Sequence, residues 1–163
     1  MSYYIGIDPS TSKTGYAVFN EDGELATKGA IPAKADDPKA FQFLYNEIVN
    51  LLNEYKPKAI ICEQQYSGVN ANTTIKLIRP TGVVLAAVGT LTEDVSFQFL
   101  APSSWRKIYH TGTEYEKKYN KRNSFAVTKM LFPGAVASFN KDNDISDAIG
   151  IAFACHSLYR EEI

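Results

Sequence analysis

Four acidic residues occupy positions from which carboxylates could act together. Asp8 closes a strand-like run, Ile5-Gly-Ile-Asp8, and Glu63 closes another, Ile60-Ile-Cys-Glu63. Asp144 and Asp147 stand three apart in Asn143-Asp-Ile-Ser-Asp-Ala148, a spacing that puts both on one face near a helix N-terminus. Singly, most have an ordinary explanation. Asp144 could cap the last helix or complement its dipole, and Asp8 could shape a turn before Pro9. Glu63 resists that treatment, because it follows a run that reads as deep core, where an unpaired charge is costly.

Together the acids make better sense. If the first and central strands are neighbours and the final helix packs across their ends, all four meet at one point. Such a cluster raises its own pKa values by repulsion, and hard divalent cations relieve it. Mg²⁺ takes oxygen ligands and keeps waters that phosphate oxygens can replace. Two ions about 3.5–4 Å apart can activate a water and stabilise the leaving oxygen of a displacement at phosphorus. Carboxylates with no histidine, cysteine or phosphate loop beside them suit phosphodiester hydrolysis.

The elements that must position these groups follow from patterning. Tyr3 to Asp8 and Gly15 to Asn20 read as strands, Asn20-Glu-Asp-Gly23 as a hairpin turn, and Leu25 to Ile31 as the returning strand. Phe41, Leu44, Tyr45, Ile48, Leu52 and Tyr55 recur at spacings of three and four, predicting an amphipathic helix from near Pro38 to before Pro57. Ala59-Ile-Ile-Cys62 reads as a strand buried on both faces. Asn72 to Leu91 is helical in composition, with Pro80 expected to kink or split it. Val95 to Leu100 is a short strand and Pro102 to Lys107 starts a helix. Lys121 to Leu131 and about Asn143 to Arg160 are the last two helices. Three antiparallel strands followed by alternating helices and strands make an α/β layer fold with a mixed sheet of five strands flanked by helices.

At 163 residues the chain fits a single domain spanning 1–163, with 45% apolar and 21% charged residues. Thr81 to Leu91 is too short to span a bilayer, and the chain opens directly on a strand-like run. A soluble, cytoplasmic protein is expected. Cys62 and Cys155, far apart in apolar surroundings, read as small buried hydrophobes, so neither a disulfide nor zinc is expected. Net charge is only −1, yet Arg106 to Lys129 holds seven basic residues against Glu114 and Glu116, a local excess of five positive charges. Such a stripe can neutralise several phosphates or simply face water. Trp105 reads as a packing anchor rather than a DNA contact. His156 reads as a core or interface residue, and His110 could assist proton transfer.

The sequence resembles the RuvC family of Holliday-junction resolvases over nearly its whole length. Gly6-Ile-Asp-Pro-Ser-Thr-Ser-Lys-Thr-Gly-Tyr-Ala17 resembles the family's opening G-I-D-P-G-x-x-x-T-G-Y motif, with Ser10 in place of the usual glycine. Glu63-Gln-Gln-Tyr-Ser-Gly-Val-Asn-Ala71 resembles its second motif, and Asp144-Ile-Ser-Asp-Ala148 its closing D-x-x-D-A. The resemblance implies an RNase H-like fold, and it implies that Asp8, Glu63, Asp144 and Asp147 are catalytic metal ligands for Mg²⁺ or Mn²⁺, two ions to a site. It implies that Tyr66 stacks at an opened junction, where base–aromatic stacking contributes about 1–3 kcal/mol. It also places Lys107, Lys118 and Lys121 along the phosphate track, which Lys76 and Arg79 could extend. The implied partners are branched DNA (four-way junctions, forks and flaps) and a second copy of the chain, with the helix after Asn72 a candidate dimer surface. The short chain and Pro102-Ser-Ser-Trp-Arg-Lys107 resemble phage-encoded members, particularly those of lactococcal phages. Two other readings compete: a module that binds branched DNA without cutting it, and an ATPase on the same core. The chain lacks room for the duplicated lobes of such an ATPase, and clustered negative charge gives a mere DNA binder nothing.

Overall fold

The computed structural model describes residues 1–34, 36–64 and 70–160. Strands β1 (Tyr3–Pro9), β2 (Lys13–Asn20) and β3 (Leu25–Pro32) form an antiparallel meander. Its β2–β3 turn is closed by a bond from the Gly23 N–H to the Asn20 carbonyl, with Gly23 at φ +81°. Helix α1 (Pro38–Tyr55) starts where the Asp37 side chain accepts from the Lys39 N–H and ends at Lys56 in a left-handed conformation. Strand β4 (Ala59–Glu63), helix α2 (Ala71–Val88), strand β5 (Ser96–Leu100) and helices α3 (Pro102–His110), α4 (Lys121–Leu131) and α5 (Phe139–Tyr159) follow. The sheet order is β3-β2-β1-β4-β5, with β4 parallel to both β1 and β5. The expected mixed five-stranded sheet is present.

Alternation along the strands divides the core in two. Tyr4, Ala17, Phe19, Ala59 and Ile61 pack toward α5, while Ile5, Ile7, Val18, Ile60 and Cys62 pack toward α1 and α2. Helix α5 lies between the sheet and the α3–α4 pair and is buried on nearly every side of its middle turns. Both cysteines are buried and free; burial pushes the Cys155 thiol up to about 12. Trp105 is wholly buried, and His156 packs against Tyr4 and donates through Nε2 to the Glu21 carbonyl at 2.8 Å. Both pack in the core, as expected from sequence.

Two details depart from the sequence reading. Helix α2 runs through Pro80 as one element, so of the expected kink or split the split does not occur; Pro80 is itself buried, and the Thr81 hydroxyl donates to the Leu77 carbonyl at 3.0 Å. Helix α5 begins at Phe139, a turn earlier than the predicted Asn143. Asp142, not Asp144, serves its N-terminus, accepting from the Ala137 and Ser138 N–H groups at 2.6 and 3.3 Å.

The seat of α5 on the sheet depends on two glycines. A methyl group at Gly6 would collide with the Ala152 nitrogen and lie 2.6 Å from the Ala148 carbonyl oxygen; one at Gly15 would collide with the Asp144 carbonyl oxygen. In Gly6→Ala the helix must lift, so stability should fall by about 1–3 kcal/mol. Urea denaturation of the variant checks this, and an unchanged midpoint would refute so close an approach.

Candidate active site

Parallel pairing of Ile7 with Cys62 sets the next residues on each strand, Asp8 and Glu63, side by side at the carboxyl ends of β1 and β4. Both continue the alternation of Tyr4, Gly6 and of Ala59, Ile61, so both point toward α5. Asp8 pairs with Gly15 on β2, and the backbone of Asp144 lies directly over Gly15. One turn along α5, Asp147 faces the same space. The four acids predicted from sequence therefore converge.

Three of the four are nearly removed from solvent: Asp8 at 3% exposure, Asp144 at 7% and Asp147 at 2%. Burial, then the charges of Glu63, Asp147 and Asp144, raise the Asp8 carboxyl well above its ordinary range, with Lys121 opposing. Its Oδ2 is buried without a hydrogen-bond partner. Burial likewise pushes Asp147 up to about 7, against the pull of Lys121 and Arg106. Cations surround the cluster without forming close hydrogen bonds. Lys121 Nζ lies 3.6 Å and an Arg106 guanidinium nitrogen 3.8 Å from Asp147 Oδ2, and Lys13 Nζ lies 3.7 Å from Asp144 Oδ2. Burial pulls the Lys121 ammonium down, but the four surrounding carboxylates outweigh it and hold it above its usual value. Trp105 Nε1 donates to Glu63 Oε2 at 2.8 Å.

Among the described residues, no three His, Cys, Asp or Glu side chains are gathered tightly enough to enclose an ion as they stand. The donor set nevertheless suits a hard cation: it is all oxygen, mutually repelling, and has an orphaned oxygen at its centre. An added cation would satisfy the buried Asp8 Oδ2 and offset the repulsion that raises these carboxyls.

Of the basic residues singled out from sequence, only Lys121 reaches the acids. Lys107 and Lys118 are exposed, and among the described residues neither pairs with a carboxylate. Tyr66 lies outside the described residues. Arg79 pairs with Asp36 on the outer side. His110 is no proton shuttle: it is fully buried, with Nδ1 donating to the Tyr115 carbonyl at 3.1 Å and Nε2 2.8 Å from the Ser124 hydroxyl. Burial lowers its pKa, so the neutral ring ties α3 to α4. Sequence reading missed three participants, Lys13, Trp105 and Arg106. The first and third carried a signal as cations inside the first motif and the basic stripe; the indole carried none.

Comparison with known proteins is consistent along the chain. The family profile described as "Crossover junction endodeoxyribonuclease RuvC" matches residues 4–156. A protein of that name from Photorhabdus laumondii is 30% identical over 161 residues, covering 96% of this chain and 88% of that one. Another from Chlorobium phaeobacteroides is 28% identical, covering 91% and 78%. The solved structure "T. thermophilus RuvC in complex with Holliday junction substrate" superposes with a TM-score of 0.74 at 16% identity, covering 94% and 92%, a likeness of fold.

The raised carboxyls make stability depend on pH when divalent cations are chelated. An unfolded aspartate ionises near 3.8, whereas folded Asp147 keeps its proton to about 7. Between those values the folded state binds more protons, so stability is full below pH 4 and falls as pH rises through 7. His110 contributes with the opposite sign, equally in wild type and in Asp147→Asn. In EDTA, wild type should therefore lose more stability between pH 5 and 8 than Asp147→Asn. Parallel denaturation curves for the two proteins would rule the buried carboxyl out as the cause.

Proposed function

Because the chain belongs to the RuvC family of crossover junction endodeoxyribonucleases, we propose that it cuts Holliday junctions and other branched DNA, forks and flaps included, by metal-dependent phosphodiester hydrolysis. The convergence of Asp8, Glu63, Asp144 and Asp147 around one orphaned carboxylate oxygen carries this reading. These four side chains would hold the Mg²⁺ or Mn²⁺ ions, two to a site, that activate water and offset the charge gathering on the phosphate. Asp8 and Asp147, already buried, exclude bulk water and need little reordering. Lys121, on the rim with its side chain half exposed, is placed to meet the scissile phosphate while staying protonated. Lys107 and Lys118, free in solvent, suit backbone phosphates farther along the DNA, where contacts position the complex without reading bases. Tyr66 is assigned the stacking role at the opened junction on its motif alone.

The chain is read as one nuclease domain over 1–163 that works as a homodimer, one site for each opposed strand. Helix α2 supports this, since Ile75, Ile78 and Leu85 form an exposed apolar strip on one face, around the open surface at Gly82. The segment Pro102 to Lys107 favours a phage-encoded branch acting in the host cytoplasm; no helix among the described residues is long and apolar enough to cross a membrane.

Asp8→Asn removes one charge from the site and leaves the basic surface intact. Given an immobile four-way junction and Mg²⁺, wild type should make paired nicks that EDTA abolishes. The variant should cut more than about 100-fold slower, beyond the effect of an outer-shell change, with junction binding retained. Wild-type binding without cutting under any divalent metal would leave a junction-binding module. ATP turnover at the same site would favour the ATPase reading. For the dimer, Ile78→Glu should yield monomers in sedimentation and turn paired nicks into single ones. A variant that stays dimeric would move the interface elsewhere.

A further inference from the structure

We propose that Trp105 is a positioning residue for Glu63: its indole N–H holds one carboxylate oxygen so that the other faces the cation, and this sets the metal affinity of the site. The inference rests on the reading of Glu63 as a metal ligand.

Glu63 is the one acid of the four that needs such a holder. Asp8 has a short side chain locked by burial, and Asp144 and Asp147 are themselves buried on a helix whose middle turns are covered on nearly every side. Glu63 has a longer side chain, stands on the last residue of β4 and is only half buried. The bond from Trp105 Nε1 to Glu63 Oε2, at 2.8 Å, is the single hydrogen bond that its carboxylate makes among the described residues.

The donor is fixed in direction and in kind. The indole is wholly buried, and its ring lies so close to Gly150 of α5 that a methyl group there would stand 3.0 Å from Cε3 and 2.9 Å from Cδ2 of Tyr109. The Arg106 guanidinium lies over the ring, 4.8 Å from its centroid, while the same group reaches Asp147. An indole N–H donates only and carries no charge. It can orient a carboxylate without neutralising it, as a lysine or arginine in its place would. Partners of this kind behind a metal ligand typically change affinity 10- to 100-fold when lost.

Trp105→Phe keeps an aromatic ring and removes the N–H. Titration calorimetry with Mn²⁺ should show binding weakened about 10-fold or more, with junction binding in EDTA unchanged. A purely structural tryptophan would lower the melting temperature and leave metal affinity alone. Should the variant fold poorly, the wild-type protein answers directly, because Trp105 is its one tryptophan. With ¹⁵N-tryptophan label, its indole resonance should shift on Glu63→Gln and again on adding Mg²⁺ to wild type. Unchanged Mn²⁺ affinity in folded Trp105→Phe, or an indole resonance indifferent to both changes, overturns the proposal. A wild-type protein that binds no divalent cation overturns the metal-ligand reading of the acids and this inference with it, even where the resonance answers to Glu63→Gln.

Discussion

The site exists because α5 lies against the sheet at backbone distance. Gly6 and Gly15 leave no side chain between the strands and the helix, so the Asp144 carbonyl rests on the strand beside Asp8. From that contact the rest follows: Asp144 and Asp147 reach the strand ends, and Ala148 and Ala152 fill the remaining gap with the smallest side chains that still favour a helix. A wider spacing would leave two pairs of acids instead of one cluster.

Holding three buried carboxylates beside a half-buried fourth is unfavourable, and the surrounding chain offsets it unevenly. Asp144 and Asp147 face ammonium and guanidinium groups at 3.6–3.8 Å, too far for strong hydrogen bonds. Asp8 forms no ion pair among the described residues, and its burial and the three neighbouring carboxylates outweigh the pull of Lys121, so its proton affinity rises. Behind the site, a buried chain of hydroxyls fixes the helices that carry the cations. Tyr109 meets Thr128 at 2.7 Å, Thr128 meets Ser146 at 2.8 Å, and His110 meets Ser124. Fully satisfied, such a network specifies one arrangement of α3, α4 and α5.

Much of this was legible in the residues themselves. Strand alternation, the Asp-Gly hairpin and the period of α1 depend on local preferences, and all three match the structure. The acids were legible because a charge at the end of a buried run needs a partner. What escaped depends on contacts between distant segments. Nothing near Trp105 in sequence marks Glu63 as its acceptor, 42 residues away. Pro80 lies inside a helix whose packing outweighs the local penalty. The early start of α5 was missed because Asp142, beside the conspicuous Asp144, took the terminal N–H groups. Of two adjacent cations, Lys107 and not Arg106 was singled out from sequence, yet one step along a helix turns a side chain by about 100°, and it is Arg106 that faces Asp147.

The place of α5 as the last described element has a consequence during synthesis. Chains emerge from the ribosome N-terminus first, and domains generally form in that order. Until α5 has been made, the sheet face carrying Tyr4, Ala17, Phe19, Ala59 and Ile61 has no cover, and Asp8 and Glu63 stand without the other two acids. A nascent chain at that stage is sticky and carries only half of the acid cluster. The same late helix that shields the apolar face also completes that cluster, so the four carboxylates meet only once α5 is in place.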